Sequence, residues 1–119
     1  MSFKRLILTL FCLCCACSAA ISPCAARPAK CVIRSGGAVY SGKCDFVADK
    51  GNGGFSVAPI GAKYFPDGIN PISLYKTGPA QAEVRGLTRD GVNSRWGSAK
   101  RSTRDPACWT GDDFIICAY

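Results

Sequence analysis

Among its 119 residues the chain has no histidine, and that absence removes the commonest general base and activator of nucleophiles. Ser–His and Cys–His mechanisms are therefore excluded. After residue 26 there is also no C-x-x-C pair, which together with the missing histidine argues against a zinc site. No apolar run approaches the roughly 20 residues that a spanning helix needs. Apolar residues at helical spacing never continue beyond two turns, and there is no internal repeat, low-complexity linker or sign of a second domain. No cofactor is expected.

What is there begins with a leader. Lys4 and Arg5 precede an apolar run from Leu6 to Ala16, followed by the small residues Ser18, Ala19 and Ala20. That order reads as a secretory signal over residues 1–26, with cleavage after Ala26 or, alternatively, after Ala20. The expected location is the periplasm or the medium. Residues 27–119 are then one domain, and an outer cut would remove Cys24 along with Cys12, Cys14, Cys15 and Cys17. Four cysteines remain, Cys31, Cys44, Cys108 and Cys117, an even set suited to an oxidising compartment. A cut after Ala20 would leave Cys24 unpaired. Membrane association is expected only if a cysteine at the signal exit carries lipid. The 15 Lys and Arg less Lys4 and Arg5 give 13 bases against 8 acids, a net +5 that favours anionic partners. In an exported protein these are acidic envelope components or proteins, with nucleic acid not expected.

The body of the chain alternates apolar and polar residues between glycine-rich turns, which predicts an all-β fold, a small antiparallel barrel or sandwich with two disulfides. Ten strands are expected, near residues 31–34, 38–41, 43–48, 54–59, 62–65, 69–75, 81–89, 92–101, 107–111 and 114–118. Pro71 should weaken its strand or confine it to an edge. Asp90-Gly91 suits a two-residue turn. That turn would place Arg89 opposite Val92, Arg85 opposite Trp96 and Glu83 opposite Ser98 on one side of a ribbon, with Ala82, Val84 and Gly86 on the other. If Asp112-Asp113 form a second turn, Cys108 and Cys117 stand directly opposite. The turn at Ser35-Gly36-Gly37 pairs Cys31 with Ser41 or Gly42, so Cys44 would reach it across an irregularity at Gly42. Cys31–Cys44 with Cys108–Cys117 is the preferred connectivity, and Cys31–Cys117 with Cys44–Cys108 its main rival.

Two apparent catalytic motifs are coincidental. Ser73-Leu74-Tyr75-Lys76 and Lys76-Thr77-Gly78 imitate elements of penicillin-binding enzymes, but they share one lysine. Asp112 and Asp113 are adjacent acids of a turn rather than a carboxylate pair. The chemistry concentrates instead in Arg85, Arg89, Arg95, Lys100, Arg101 and Arg104, with Trp96 among them and Trp109 just beyond. Arginine and tryptophan dominate binding hot spots. Arg85, Arg89, Trp96 and Lys100 are the expected binding residues, on one face of the ribbon; the alternative is a solvated surface over a tryptophan core.

Tyr40-Ser41-Gly42-Lys43-Cys44-Asp45-Phe46, Gly54-Phe55-Ser56-Val57, the run from Ala82 through Trp96, and Ala107-Cys108-Trp109 with Ile116-Cys117-Ala118 resemble small exported proteobacterial proteins of unassigned function. That likeness implies a cysteine-paired envelope domain and no activity. A thinner one is to bacterial inhibitors of C-type lysozyme, which use S-G-x-x-Y and K-G-x-x-A-x-L elements. Here Ser35-Gly36-Gly37-Ala38-Val39-Tyr40 has one residue too many and the second element is missing. The chain is accordingly expected to be a non-enzymatic binding module, with an inhibitory protein or a small histidine-free enzyme as alternatives.

Overall fold

The computed structural model describes residues 26–51 and 53–119; Cys24 and all but the last residue of the expected signal segment lie outside them. Eight antiparallel strands follow one another in chain order: β1 Arg27–Ser35, β2 Ala38–Ala48, β3 Phe55–Pro59, β4 Ile69–Gly78, β5 Gln81–Thr88, β6 Asn93–Arg101, β7 Cys108–Thr110 and β8 Phe114–Ala118. Each pairs with its sequence neighbour, and β1 also pairs with β8 from Cys31↔Ala118 to Ser35↔Phe114. The sheet thus closes into an up-and-down barrel. Closure satisfies the backbone groups that the two edge strands of an open sheet would leave unpaired. The expected all-β architecture with two disulfides is present, as a barrel rather than a sandwich.

Alternation sorts side chains between lumen and solvent. Ile33, Cys31, Cys44, Val57, Ile72, Leu74, Val84, Ala82, Ala99, Trp109 and Ile116 are buried and fill the interior. A small barrel of eight strands has just enough lumen for such side chains. The connections β2–β3, β4–β5 and β6–β7 emerge at one end, called here the basic end. The opposite end carries the β1–β2 and β7–β8 turns, a short 3-10 turn at Pro66–Gly68, and the β5–β6 hairpin.

Four expectations change in detail. Residues 38–48 are one strand rather than two, because Gly42 continues the ladder beneath the Tyr40 side chain, whose hydroxyl lies 3.4 Å from where a Cβ would stand. Residues 62–65 form part of an irregular connection, touching the sheet only at the Phe65↔Ile69 bridge. Pro71 sits within a closed barrel, at an irregularity in the β4–β5 register between Ile69 and Ile72, where a missing donor disturbs no ladder bond. The β5–β6 turn has three residues, not two. Thr88 donates its N–H to Val92 O at 2.8 Å and accepts the Gly91 N–H at 2.9 Å, with Gly91 at φ 85°. The consequence is a one-residue shift: Arg85 pairs with Arg95, Val84 with Gly97, and Trp96 bulges out of the ladder between them.

The preferred disulfides both form, but on opposite surfaces of the wall. Cys31 pairs in register with Gly42 and Cys44 with Ala29, without interruption. The two cysteines are therefore diagonal neighbours on the lumen side, 5.8 Å apart at Cα, so no irregularity at Gly42 is needed. Sheet twist brings one diagonal within disulfide reach. Cys108 and Cys117 face each other directly, as the Asp112-Asp113 turn requires. Their neighbours Trp109 and Ile116 point inward, so this bridge lies on the outer wall, beside the Tyr119 hydroxyl at 3.6 Å.

Two outcomes follow. Gly91→Val is expected to destabilise the fold by at least about 1 kcal/mol through backbone strain alone, since no atom lies within 4 Å of the added Cβ; the urea midpoint checks it. Under graded thiol reductant, alkylation and peptide mapping should find Cys108 and Cys117 labelled first. They are 8% and 5% exposed, against 0% for both Cys31 and Cys44.

Candidate functional site

The barrel separates the residues expected to share one binding face. Arg85 points outward from the middle of β5, half-buried, and Lys100 points outward near the basic end opposite Gln81. Arg89 lies at the other end, its guanidinium 4.9 Å over the Tyr64 ring and packed against Gly68. Its contacts tie the hairpin to the connection before β4. Trp96 turns into the lumen because of the bulge: its ring centroid is 5.6 Å from that of Phe114, and its Nε1 is 3.0 Å from where a Gly86 Cβ would stand. Arg95 forms an ion pair with Glu83, whose Oε1 is buried and has no other partner among the described residues. Of the four, Arg85 and Lys100 alone remain outward on the same ribbon face.

Arginine and aromatic side chains do converge at the basic end, drawn from other strands. Counting back by twos from buried Cys31 on β1 places Arg27 on the lumen side. The same count from Cys44 on β2 brings Phe46 and Ala48 inward, and from Val57 on β3 brings Phe55 inward. On β6 the count from Ala99 gives Arg101, which pairs with Trp109. These side chains reach the lumen where the strands end, so they line a mouth.

Its floor is apolar and its rim cationic. The Phe46 and Phe55 rings stack at 4.9 Å between centroids, and Trp109 is buried beneath them at 2% exposure. At the rim the Arg27 guanidinium lies 4.4 Å over Phe46 and that of Arg101 lies 4.7 Å over Trp109. Stacking fixes each guanidinium plane while leaving the N–H groups at its edge available to an acceptor. The cleft, open to solvent on one side, holds about 250 Å³ and is walled also by Ala48, Asp49, Pro106 and Ala107. Lys76, on the lumen side of β4 opposite Ala82, lays its chain against Gly53 at the same rim.

Two ordered connections support the mouth. Asp49 accepts the Gly51 N–H through Oδ1 at 2.9 Å and the Gly53 N–H through its carbonyl at 3.0 Å. In the β6–β7 connection Ser102 Oγ accepts the N–H groups of Arg104 and Asp105, and Asp105 Oδ1 accepts that of Ala107. Asp105 Oδ2 accepts the Tyr119 hydroxyl at 2.6 Å. Arg27, Lys50, Lys76, Lys100, Arg101 and Arg104 thus gather at this end, opposed by Asp45 on the outer wall opposite Pro28, by Asp49 and by Asp105. At the other end Asp67, Asp90, Asp112 and Asp113 lie among Arg34, Lys63 and Arg89. Among the described residues no three His, Cys, Asp or Glu side chains come together as a metal-binding group.

Sequence reasoning named Arg101 and Trp109 as part of a run but missed Arg27, Phe46 and Phe55. The signal was the period of two: once Cys31 and Cys44 are lumen-facing, Arg27 and Phe46 share their side. Comparison with protein-family models, with curated proteins and with solved structures finds no match to this chain. The site is therefore read from its geometry.

Tyr119 gives that geometry a pH limit. Its pKa is raised above the ordinary 10.0 because its hydroxyl donates to Asp105, with desolvation and the nearby carboxylate charge adding in the same direction. Ionisation would end that donation. A raised folded-state pKa contributes stability that is complete below the unfolded value and is lost as pH rises through the folded value. Spectrophotometric titration should show a late tyrosine ionisation step, above the ordinary 10.0. Tyr119→Phe should remove that late step and flatten the decline of stability above about pH 10.

Proposed function

We propose that this protein is an exported binding module that docks an anionic envelope component or acidic protein through the basic end of its barrel. The observation carrying the reading is the pair of arginines held over aromatic rings at a mouth whose described lining includes a single acid, Asp49. Charge gathered at one end steers an anionic partner and orients it, raising the association rate more than a scattered net charge would. Pre-stacked guanidiniums add recognition of carboxylate or phosphate with less ordering cost. Two disulfides are compatible with the oxidising space that a signal-bearing chain would enter. The expected ribbon face over β5 and β6 is a weaker candidate, since Trp96 is turned inward and Arg89 and Arg95 are engaged within the fold.

The test compares two double variants of equal charge. Lys50→Glu with Arg104→Glu alters the basic end, whereas Lys63→Glu with Arg85→Glu alters the side and the opposite end. Binding to isolated envelope fractions should fall steeply between low and physiological salt, where the screening length is about 8 Å. The basic-end pair should weaken it further than the control pair does. Equal loss in both would reduce the effect to net charge; salt-insensitive binding would overturn the reading.

A further inference from the structure

From the order of burial along the barrel axis we infer that the mouth receives a small amphiphilic anion, with an aryl or short acyl body entering first and a carboxylate-type head held at the rim. This rests on the basic end being a binding surface, and it assigns the chemistry of one pocket within it. The polarity of the mouth is graded. Trp109 is buried at the floor, Phe46 and Phe55 are half-buried above it, and Arg27 and Arg101 are exposed at the rim.

A bare inorganic anion would use only the rim. It would leave the exposed parts of the half-buried Phe46 and Phe55 rings wetted, whereas an apolar body displaces water from them and adds free energy in proportion to the area covered. A neutral apolar molecule would in turn leave both exposed guanidinium edges to water and gain nothing from their charge. The head group matches them because an arginine fork bonds a carboxylate through two parallel N–H groups.

Size follows from what lies behind the floor. Leu74, Val84, Ile116 and the Cys31–Cys44 bridge are all buried in the lumen, so the mouth does not continue into a long cavity. Its volume of about 250 Å³ exceeds the roughly 150 Å³ that accommodates a benzene ring. A single ring or short acyl chain with its acidic group fits; a long-chain lipid does not enter whole.

Titration of the purified protein, followed by the two tryptophan indole N–H resonances in nuclear magnetic resonance spectra, tests this directly. Trp109 is at the mouth and Trp96 near the other end of the barrel, so one reports and the other is an internal control; Trp96→Phe assigns the signals. The probes are phenylacetate and hexanoate, with acetate, inorganic phosphate and benzyl alcohol as controls lacking the body or the charge. Saturable movement of the Trp109 signal by phenylacetate or hexanoate is expected, with Trp96 unmoved and the three controls at least about tenfold weaker. Preference for phenylacetate would identify an aryl ligand, and preference for hexanoate an acyl one. Arg27→Ala and Arg101→Ala should each weaken the bound probe by about tenfold or more while leaving the other resonances in place.

Phosphate or acetate binding as tightly as the larger anions would overturn the inference in favour of a plain anion site. Benzyl alcohol binding equally well would overturn it in favour of an uncharged pocket, and an unmoved Trp109 signal with every probe would overturn it outright. None of these results bears on salt-dependent docking to the envelope, which the Lys50 and Arg104 variants decide separately.

Discussion

Pairing of β1 with β8 turns eight strands with a single buried face into a lumen, and the positions of the remaining groups follow from it. Ile33 opposite Ile116 and Cys31 opposite Ala118 join the first and last strands, so that side chains far apart in sequence meet around one axis. Closure also defines two ends. The strands alternate in direction, so the β1–β2, β3–β4, β5–β6 and β7–β8 connections fall at one end and the others at the opposite end. With that division Arg27, Lys50, Lys76, Arg101 and Arg104 share one end, whereas at the other Asp67, Asp90, Asp112 and Asp113 lie among Arg34, Lys63 and Arg89. No local interaction brings about this distribution; it is a property of up-and-down topology.

The two disulfides reinforce closure from different sides. Cys31–Cys44 replaces part of the apolar filling inside the barrel, in a domain whose core is limited by its size. It links β1 to β2 just behind the aromatic floor of the mouth. Cys108–Cys117 fastens β7 to β8 from outside. That hairpin needs fastening, since β7 has three residues and meets β6 at only two register positions, Lys100↔Thr110 and Arg101↔Trp109. Those are the positions that set Arg101 over Trp109. Crosslinks constrain the unfolded chain by about 2–4 kcal/mol each, a large share of the stability of a domain this size.

How far the site could be read beforehand depended on how local its causes were. The Asp112-Asp113 turn and the Cys108–Cys117 pair could be read by counting outward from two residues, because turn and strands are contiguous. The β5–β6 ribbon failed the same count. A third residue joined the turn, and an extra one at Trp96 restored the register beyond it, so Ala82↔Ala99, Glu83↔Ser98 and Val84↔Gly97 match the expected pairing while Arg85 does not. Between turn and bulge the register is displaced by one residue. That displacement pairs Arg85 with Arg95 and sends Trp96 to the lumen, where Phe114 and the bare backbone of Gly86 give its indole room.

Composition and pattern alone carried the all-β class, the preference for one of two disulfide connectivities and the excess of positive charge, because each depends on residue type or on neighbours a few positions apart; the register of β1 on β2 and of β7 on β8 decided the connectivity. Where that charge acts was decided only by the tertiary structure. Arg27, Phe46, Phe55, Arg101 and Trp109 come from five strands; Phe46 with Phe55 and Arg101 with Trp109 are neighbours across single connections, but nothing local links the β1–β2–β3 group to the β6–β7 group. They meet because closure gives every strand a common inside, and because strand ends at different sequence positions reach the same height along the barrel.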